Sequence, residues 1–337
     1  MLQSIKISKI SLLFFLLCSC QLKEKSEQER FIYTVNGKID VESLHFSLTH
    51  EHIMSNFGAE PNRVATYDRD LLFRQVIPYL KKVKASGVNS IFDCTAAYFG
   101  RDVTLLKTLS DSTGMHLITN TGFYGAANDK YVPQFAFNAS AAEISNVWIK
   151  EFENGIDQTE IRPGFIKLAF DDGPPSEIDL KLFQAGILTH LKTGLSLVVH
   201  TGDNPDAASE QLRLLEENNV SPSAWIWAHA NKAIDQENLI KAAQKGAWIS
   251  LDGVNESNIN DYVNRIEAFR KLGLLNTILL SHDGNSFPRG GEIRKYEAIS
   301  ISLIPRLKEL GYSTEEINQL MIKNPQDAFS IKVRSIE

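Results

Sequence analysis

The sequence predicts an α/β protein, a (β/α)8 barrel entered through a short N-terminal β-hairpin, and three observations predict it. Eight short, continuously apolar runs are spread over residues 46–280. Stretches of helical periodicity with recognisable ends lie between them. The polar residues best suited to chemistry fall at or just past the ends of the runs.

Taken in order, residues 31–45 read as a hairpin, with Asn36-Gly37 as a turn pair that tolerates positive φ. The eight runs are 46–49, 90–94, 116–120, 164–169, 195–199, 224–228, 247–251 and 277–280. Parallel strands buried on both faces show continuous apolarity and no alternation, as these do. Leu72, Val76, Leu80 and Val83 set one helical stripe, with Pro78 inside it expected to kink the helix. Leu180, Phe183, Ile187 and Leu191 set a second, which starts at Ser176 and stops at Gly194. Asp235 and Gly246 bracket a third helix as N-cap and C′ residue. Ser313-Thr314-Glu315-Glu316 is a capping box opening a C-terminal helix. The rival architecture is an open, doubly wound sheet.

The chain has 337 residues, 43% of them hydrophobic, and a net charge of −6. No basic or aromatic-interleaved run suggests nucleic acid. Lys6 and Lys9 precede a short apolar stretch, residues 10–17, well under the ~20 residues that span a bilayer as a helix. This reads as an export signal. It ends in Leu17-Cys18-Ser19-Cys20, which resembles a bacterial lipobox with Cys20 as the lipid-accepting residue; the bland alternative is an ordinary signal peptide with incidental cysteines. The expected organisation is a lipoprotein signal at 1–19, a polar tether at 20–30 and one (β/α)8 domain at 31–337, held at the bacterial cell envelope outside the cytoplasm. Cys94, the one cysteine then left unmodified, sits in an apolar run and reads as a buried structural thiol.

In a (β/α)8 barrel the C-terminal strand ends share one mouth. The first strand ends in Thr49-His50-Glu51-His52, where alternation turns His50 and His52 to the same side. The fourth delivers Lys167, the fifth His200, the sixth His229 and the eighth Asp283. Imidazole and carboxylate are preferred ligands of Zn²⁺ and similar ions. A lone His-x-His is weak, but this clustering is stronger than the bland reading of satisfied polar residues in a barrel. His45, His116 and His190 fall before or inside their elements and read as structural or exposed. His282, beside Asp283, should point elsewhere. Lys167 suits a metal site only if its amine is carboxylated, giving a bridging N6-carboxylysine; an ion pair in the mouth is the comparable alternative.

These segments resemble the phosphotriesterase family of the amidohydrolase superfamily, over nearly all of residues 31–330. The carrying motifs are Leu48-Thr49-His50-Glu51-His52, Gly100-Arg101-Asp102, Thr121-Gly122, Arg162-Pro163-Gly164-Phe165-Ile166-Lys167, His200-Thr201, His229, Leu251-Asp252, Ser281-His282-Asp283, and Asn324-Pro325 with Phe329. The resemblance implies two divalent metal ions, with zinc the expected element. His50, His52 and Asp283 would hold the buried ion, His200 and His229 the exposed one, and carboxylated Lys167 would bridge them. One departure stands out. Phosphotriesterases proper carry a His after the strand-seven aspartate and many lactonases an Arg, whereas this chain has Gly253 after Asp252.

The mechanism expected is attack by a metal-bridging hydroxide, with Asp283 accepting its proton and passing it to the leaving group. No Gly-x-Ser-x-Gly elbow or Walker loop is present. A lactone or carboxylic ester is the favoured substrate, ahead of a phosphotriester or an N-acyl amide. Tyr98 and Tyr124 are expected pocket walls, and Arg289 and Arg294 a clamp for a carboxylate or phosphate. A catalytically inactive ligand-binding lipoprotein is the alternative of another class. Partners expected are the small-molecule substrate and the membrane through the lipid, with a homodimer left open.

Overall fold

The computed structural model describes residues 29–63, 65–289 and 292–336. The export signal, Cys20 and all but the last two tether residues lie outside them. Arg30 is already engaged with the domain, its carbonyl accepting from Val41 N–H and its guanidinium reaching Glu42 and Asp327.

All eight apolar runs form strands. Before them, β1 (Phe31–Thr34) and β2 (Gly37–Asp40) pair antiparallel with Thr34 opposite Gly37. The turn is therefore Val35-Asn36, one residue earlier than expected, because Gly37 spends its positive φ opening β2. A three-stranded parallel sheet follows: β3 (Ser47–Glu51), β4 (Ser90–Asp93) and β5 (His116–Ile118). A six-stranded parallel sheet holds β6 (Asn120–Thr121), β7 (Phe165–Ala169), β8 (Leu197–His200), β9 (Trp225–Ala228), β10 (Trp248–Leu251) and β11 (Ile278–Leu280). Strand order follows chain order in both sheets, without the reversal that defines a doubly wound sheet. Thr119 alone separates β5 from β6. At the other flank Asp283 N–H donates to His50 O (3.1 Å) and His52 N–H to Gly284 O (2.8 Å), so the backbone beyond β11 pairs with the end of β3.

Helices α1 (Arg69–Ala85), α2 (Val103–Thr113), α3 (Gln134–Asn138), α4 (Ala141–Asn154), α5 (Glu177–Thr193), α6 (Pro205–Glu217), α7 (Glu237–Gln244) and α8 (Ile259–Lys271) connect the strands. After β11 come α9 (Ile304–Glu309), α10 (Thr314–Asn318) and α11 (Asn324–Phe329). Leu72, Val76, Leu80 and Val83 are the buried residues of α1, which runs unbroken through Pro78. The α5 stripe is rotated from the expected one. Phe183 and Ile187 are buried with Ile178, Leu182 and Ala185, while Leu180 is half-buried and Leu191 is exposed. The caps at Ser176 and left-handed Gly194 fall where expected. Asp235 still accepts from Glu237 N–H at 2.9 Å, although α7 begins one residue later than a simple N-cap implies. The Ser313/Glu316 capping box opens α10.

The hairpin lies at the N-terminal strand ends, away from the site. Val35 N–H donates to Leu117 O, and Arg162 Nη1 to the Tyr33 hydroxyl. His190 is structural: Leu195 O and Arg334 N–H occupy its two ring nitrogens, and burial pushes it down to about 4. Cys94 is fully buried and burial raises its thiol pKa, so it is no nucleophile.

Arg101 and Asp102 have separate structural tasks. Asp102 caps α2, and Arg101, buried, forks onto Glu151 at 2.8 and 3.0 Å while donating to Asn120 O. Burial alone would raise the Glu151 carboxyl; Arg101 holds it below its ordinary value. Removing one partner strands a buried charge, at a cost of about 3–5 kcal/mol. Arg101→Met should therefore lower stability in urea titration by roughly 3 kcal/mol, and the added change Glu151→Leu should restore part of it. A single variant as stable as the parent would contradict this ion-pair account.

Candidate active site

His50, His52, Lys167, His200, His229 and Asp283 line one cavity of about 290 Å³ at the C-terminal strand ends. They arrive by four local devices. His50 and His52 alternate along the end of β3, Lys167 sits mid-strand in β7, and His200 closes β8. His229 and Asp283 follow their strands in left-handed backbone, φ 59° and 51°. Such backbone costs a non-glycine residue about 1 kcal/mol or more and persists where neighbours over-determine it.

Hydrogen bonding sets which ring nitrogen faces the cavity. Asp252, fully buried at the end of β10, places one carboxylate oxygen 2.8 Å from His50 Nδ1 and the other 2.8 Å from His229 Nδ1. The His50 contact is bent away from ideal hydrogen-bond geometry, yet the charge between two imidazoles in a dry interior orients both rings. Asp252 also accepts from His229 N–H and the Ser250 hydroxyl. Burial by itself would raise its pKa, but the two imidazoles hold it far below the ordinary carboxylate range. Thr95 performs the same task for His52, its Oγ1 2.8 Å from Nδ1 while its own proton goes to Met54 O, also 2.8 Å away. His50 and His52 thus point Nε2 lone pairs at Asp283.

Three of the rings are pushed toward the neutral form. Burial, with Lys167 adding to it and Asp252 opposing, pushes His50 down to about 3. Burial lowers His52 against the pull of Asp283, and lowers His200 further still. A neutral imidazole offers a lone pair to a cation. Asp283 is the acid at the mouth, partly exposed, and held below its usual range by His52 against the desolvation of the site. His50, His52 and Asp283 bring one ligand atom each within 4.8 Å of one another. His50, His229 and Asp252 do so too, but there Asp252 already meets both Nδ1 atoms and so orients the two rings.

Lys167 is 1% exposed, with Nζ 3.1 Å from His50 Nε2. Among the described residues no carboxylate lies within ion-pair distance of it, so the ion-pair alternative lacks a partner. Tyr124 lines the cavity, its hydroxyl 3.3 Å from His200 Nδ1, and Arg289 and Arg294 lie at the rim, Arg294 at 3.7 Å from Asp283. Tyr98 does not line the cavity. Its left-handed backbone turns the ring onto Phe123, 5.9 Å away, and Phe99 takes the wall position, stacked on Tyr124 at 4.9 Å. His282 points away, to Glu51. Asp252, Thr95, Phe99 and Glu51 were not singled out for roles by the sequence. Asp252 and Thr95 do stand at or just past strand ends, where the same positional rule would reach them.

The phosphotriesterase family model matches residues 31–329. The chain belongs to the phosphotriesterase family. It is similar to the phosphotriesterase homology protein of Escherichia coli (strain K12), 26% identical over 84% of this chain and 97% of the relative. It resembles the aryldialkylphosphatase of Saccharolobus solfataricus at 27% identity, over 87% of this chain and 98% of the relative. N-acetyltaurine hydrolase of Mus musculus is 24% identical over 89% and 98%. This family member is a hydrolase of ester or amide bonds, and its site is a candidate metal-binding site of histidines and aspartates.

Proposed function

We propose that the strands close into a (β/α)8 barrel whose mouth holds two divalent cations, zinc the best match to imidazole and carboxylate, and hydrolyses a lactone or carboxylic ester. The hydrogen bonds joining residues 283–284 to the end of β3 support closure. The observation that carries the metal reading is Lys167, buried against an imidazole with no acid partner among the described residues. Carboxylated, it would give the His200–His229 pair, rings 4.2 Å apart, the anionic ligand that pair lacks. When bound, the two cations would supply an activated water and polarise the acyl oxygen. Asp283 then accepts a proton and hands it to the leaving group. Phe99 and Tyr124 form an apolar wall, while Arg289 and Arg294 stand where an anionic substituent would lie.

Gly253 supports an ester over a phosphotriester. A Cβ there would sit 2.6 Å from Asn231 Nδ2 and 2.8 Å from the Tyr262 hydroxyl, so the space a relay histidine would need is taken. The names of two relatives, aryldialkylphosphatase and N-acetyltaurine hydrolase, keep phosphotriesters and N-acyl amides as the competing substrates. A panel of lactones, esters, N-acyl amino acids and triesters tests this. With metal-loaded enzyme, lactones or esters should exceed paraoxon-like triesters at least tenfold in kcat/KM, or ~1.4 kcal/mol of transition-state binding. Equal or reversed rates overturn the ester preference.

Lipid anchoring through Cys20 is part of the same proposal. Cys20→Ala should move the protein from membranes to the soluble fraction with activity intact, since Cys20 precedes the domain in the sequence. Retention on carbonate-washed membranes would contradict it.

A further inference from the structure

His50-Glu51-His52 carries two functions on one strand. The histidines face the cavity, and the residue between them faces the other way. Glu51 is fully buried, no Lys or Arg among the described residues pairs with it, and four donors face its two carboxylate oxygens. Its Oε1 accepts from the Ser281 hydroxyl (2.8 Å), His282 N–H (3.1 Å) and His282 Nδ1–H (2.7 Å); its Oε2 accepts from Gly284 N–H (2.7 Å). These donors come from residues 281, 282 and 284, and Asp283 stands among them.

His282 Nε2 accepts from Ile299 N–H at 3.1 Å, an amide that can only donate, so the ring proton sits on Nδ1, facing Glu51. Gly284 is required for the close approach. A Cβ there would lie 2.5 Å from the Tyr296 ring, 2.8 Å from Arg294 O and 2.9 Å from Glu51 Oε2. The left-handed backbone of Asp283 is thus pinned on both sides by one carboxylate.

We propose that Glu51 is a positioning residue for Asp283: it holds the 281–284 turn in the one conformation that aims the Asp283 carboxylate at His50 and His52. This rests on the reading of Asp283 as the proton-accepting ligand. Glu51 acts through the turn and touches neither substrate nor reacting atoms.

Glu51→Gln is the decisive variant. Its amide oxygen can serve the three donors at Oε1, but the NH₂ then opposes Gly284 N–H, donor against donor. In the full chain, the expected result is a drop in kcat of at least about thirtyfold with KM within threefold. Amide hydrogen exchange across 281–286 should also rise at least about tenfold, with β7 to β10 unchanged. The milder Ser281→Ala removes one of the four donors and also the acceptor of His50 N–H (2.9 Å), so its deciding readout, if Glu51→Gln does not fold, is exchange over 281–286, which should rise about threefold with β7 to β10 unchanged. Wild-type kcat in a folded variant, or unchanged exchange over 281–286, overturns the proposal. The exchange readout needs no activity, so it stands or falls separately from the hydrolase substrate assignment.

Discussion

Lys167→Ala is expected to abolish turnover, by roughly a thousandfold or more, and to strip the protein of metal. The side chain is buried at the centre of the ligand set, 3.1 Å from His50 Nε2, with no carboxylate paired to it among the described residues. If it is carboxylated, alanine removes the one bridging anion and leaves four imidazoles and Asp283 around two cations, short of negative charge. Acetate or propionate, sized to the space left behind, should restore part of both metal content and activity. Guanidinium or ammonium should not. An ammonium acting as a simple cation predicts the reverse, with both metals kept in the variant and amines the better additive. Metal per chain and rate, each measured with and without additive, separate the two. Full metal occupancy in Lys167→Ala would overturn the carboxylated lysine.

Asp252→Ala should cost about 100-fold in kcat/KM and a comparable factor in metal affinity, the scale usual for a carboxylate that orients metal-binding histidines. Asp252 lies between His50 Nδ1 and His229 Nδ1 and keeps both protons on the side away from the cavity. Asp252→Asn should be nearly as harmful although it keeps the shape. Its oxygen can serve one ring, but its NH₂ faces the other Nδ1 and drives that proton to Nε2, where a cation should bind. Metal titration and steady-state kinetics check this, with urea titration to verify folding. An asparagine variant within threefold of the parent in both would reduce Asp252 to packing.

Strand positions and the residues that line the cavity were legible in the sequence because both follow from short-range rules. A buried parallel strand is a continuous apolar run, as at 225–228, and its last residues must face the mouth, which picks out His50, His52, His200, His229 and Asp283. Caps behaved likewise, since Ser176, Gly194 and Ser313 act within one helical turn. What required the tertiary structure was every relation between distant segments. The α5 stripe rotated because burial there is set by whatever packs alongside, and Ser145 of α4 meets Thr189 at 3.0 Å. Tyr98 and Phe99 exchanged places through one left-handed residue that no local preference announces. Asp252 and Glu51 appeared in the sequence only as members of the Leu251-Asp252 and His50-Glu51-His52 motifs. Their functions lie in partners up to 233 positions away, because a buried carboxylate must be satisfied by whatever donors the fold brings to it, and only chain closure decides which those are.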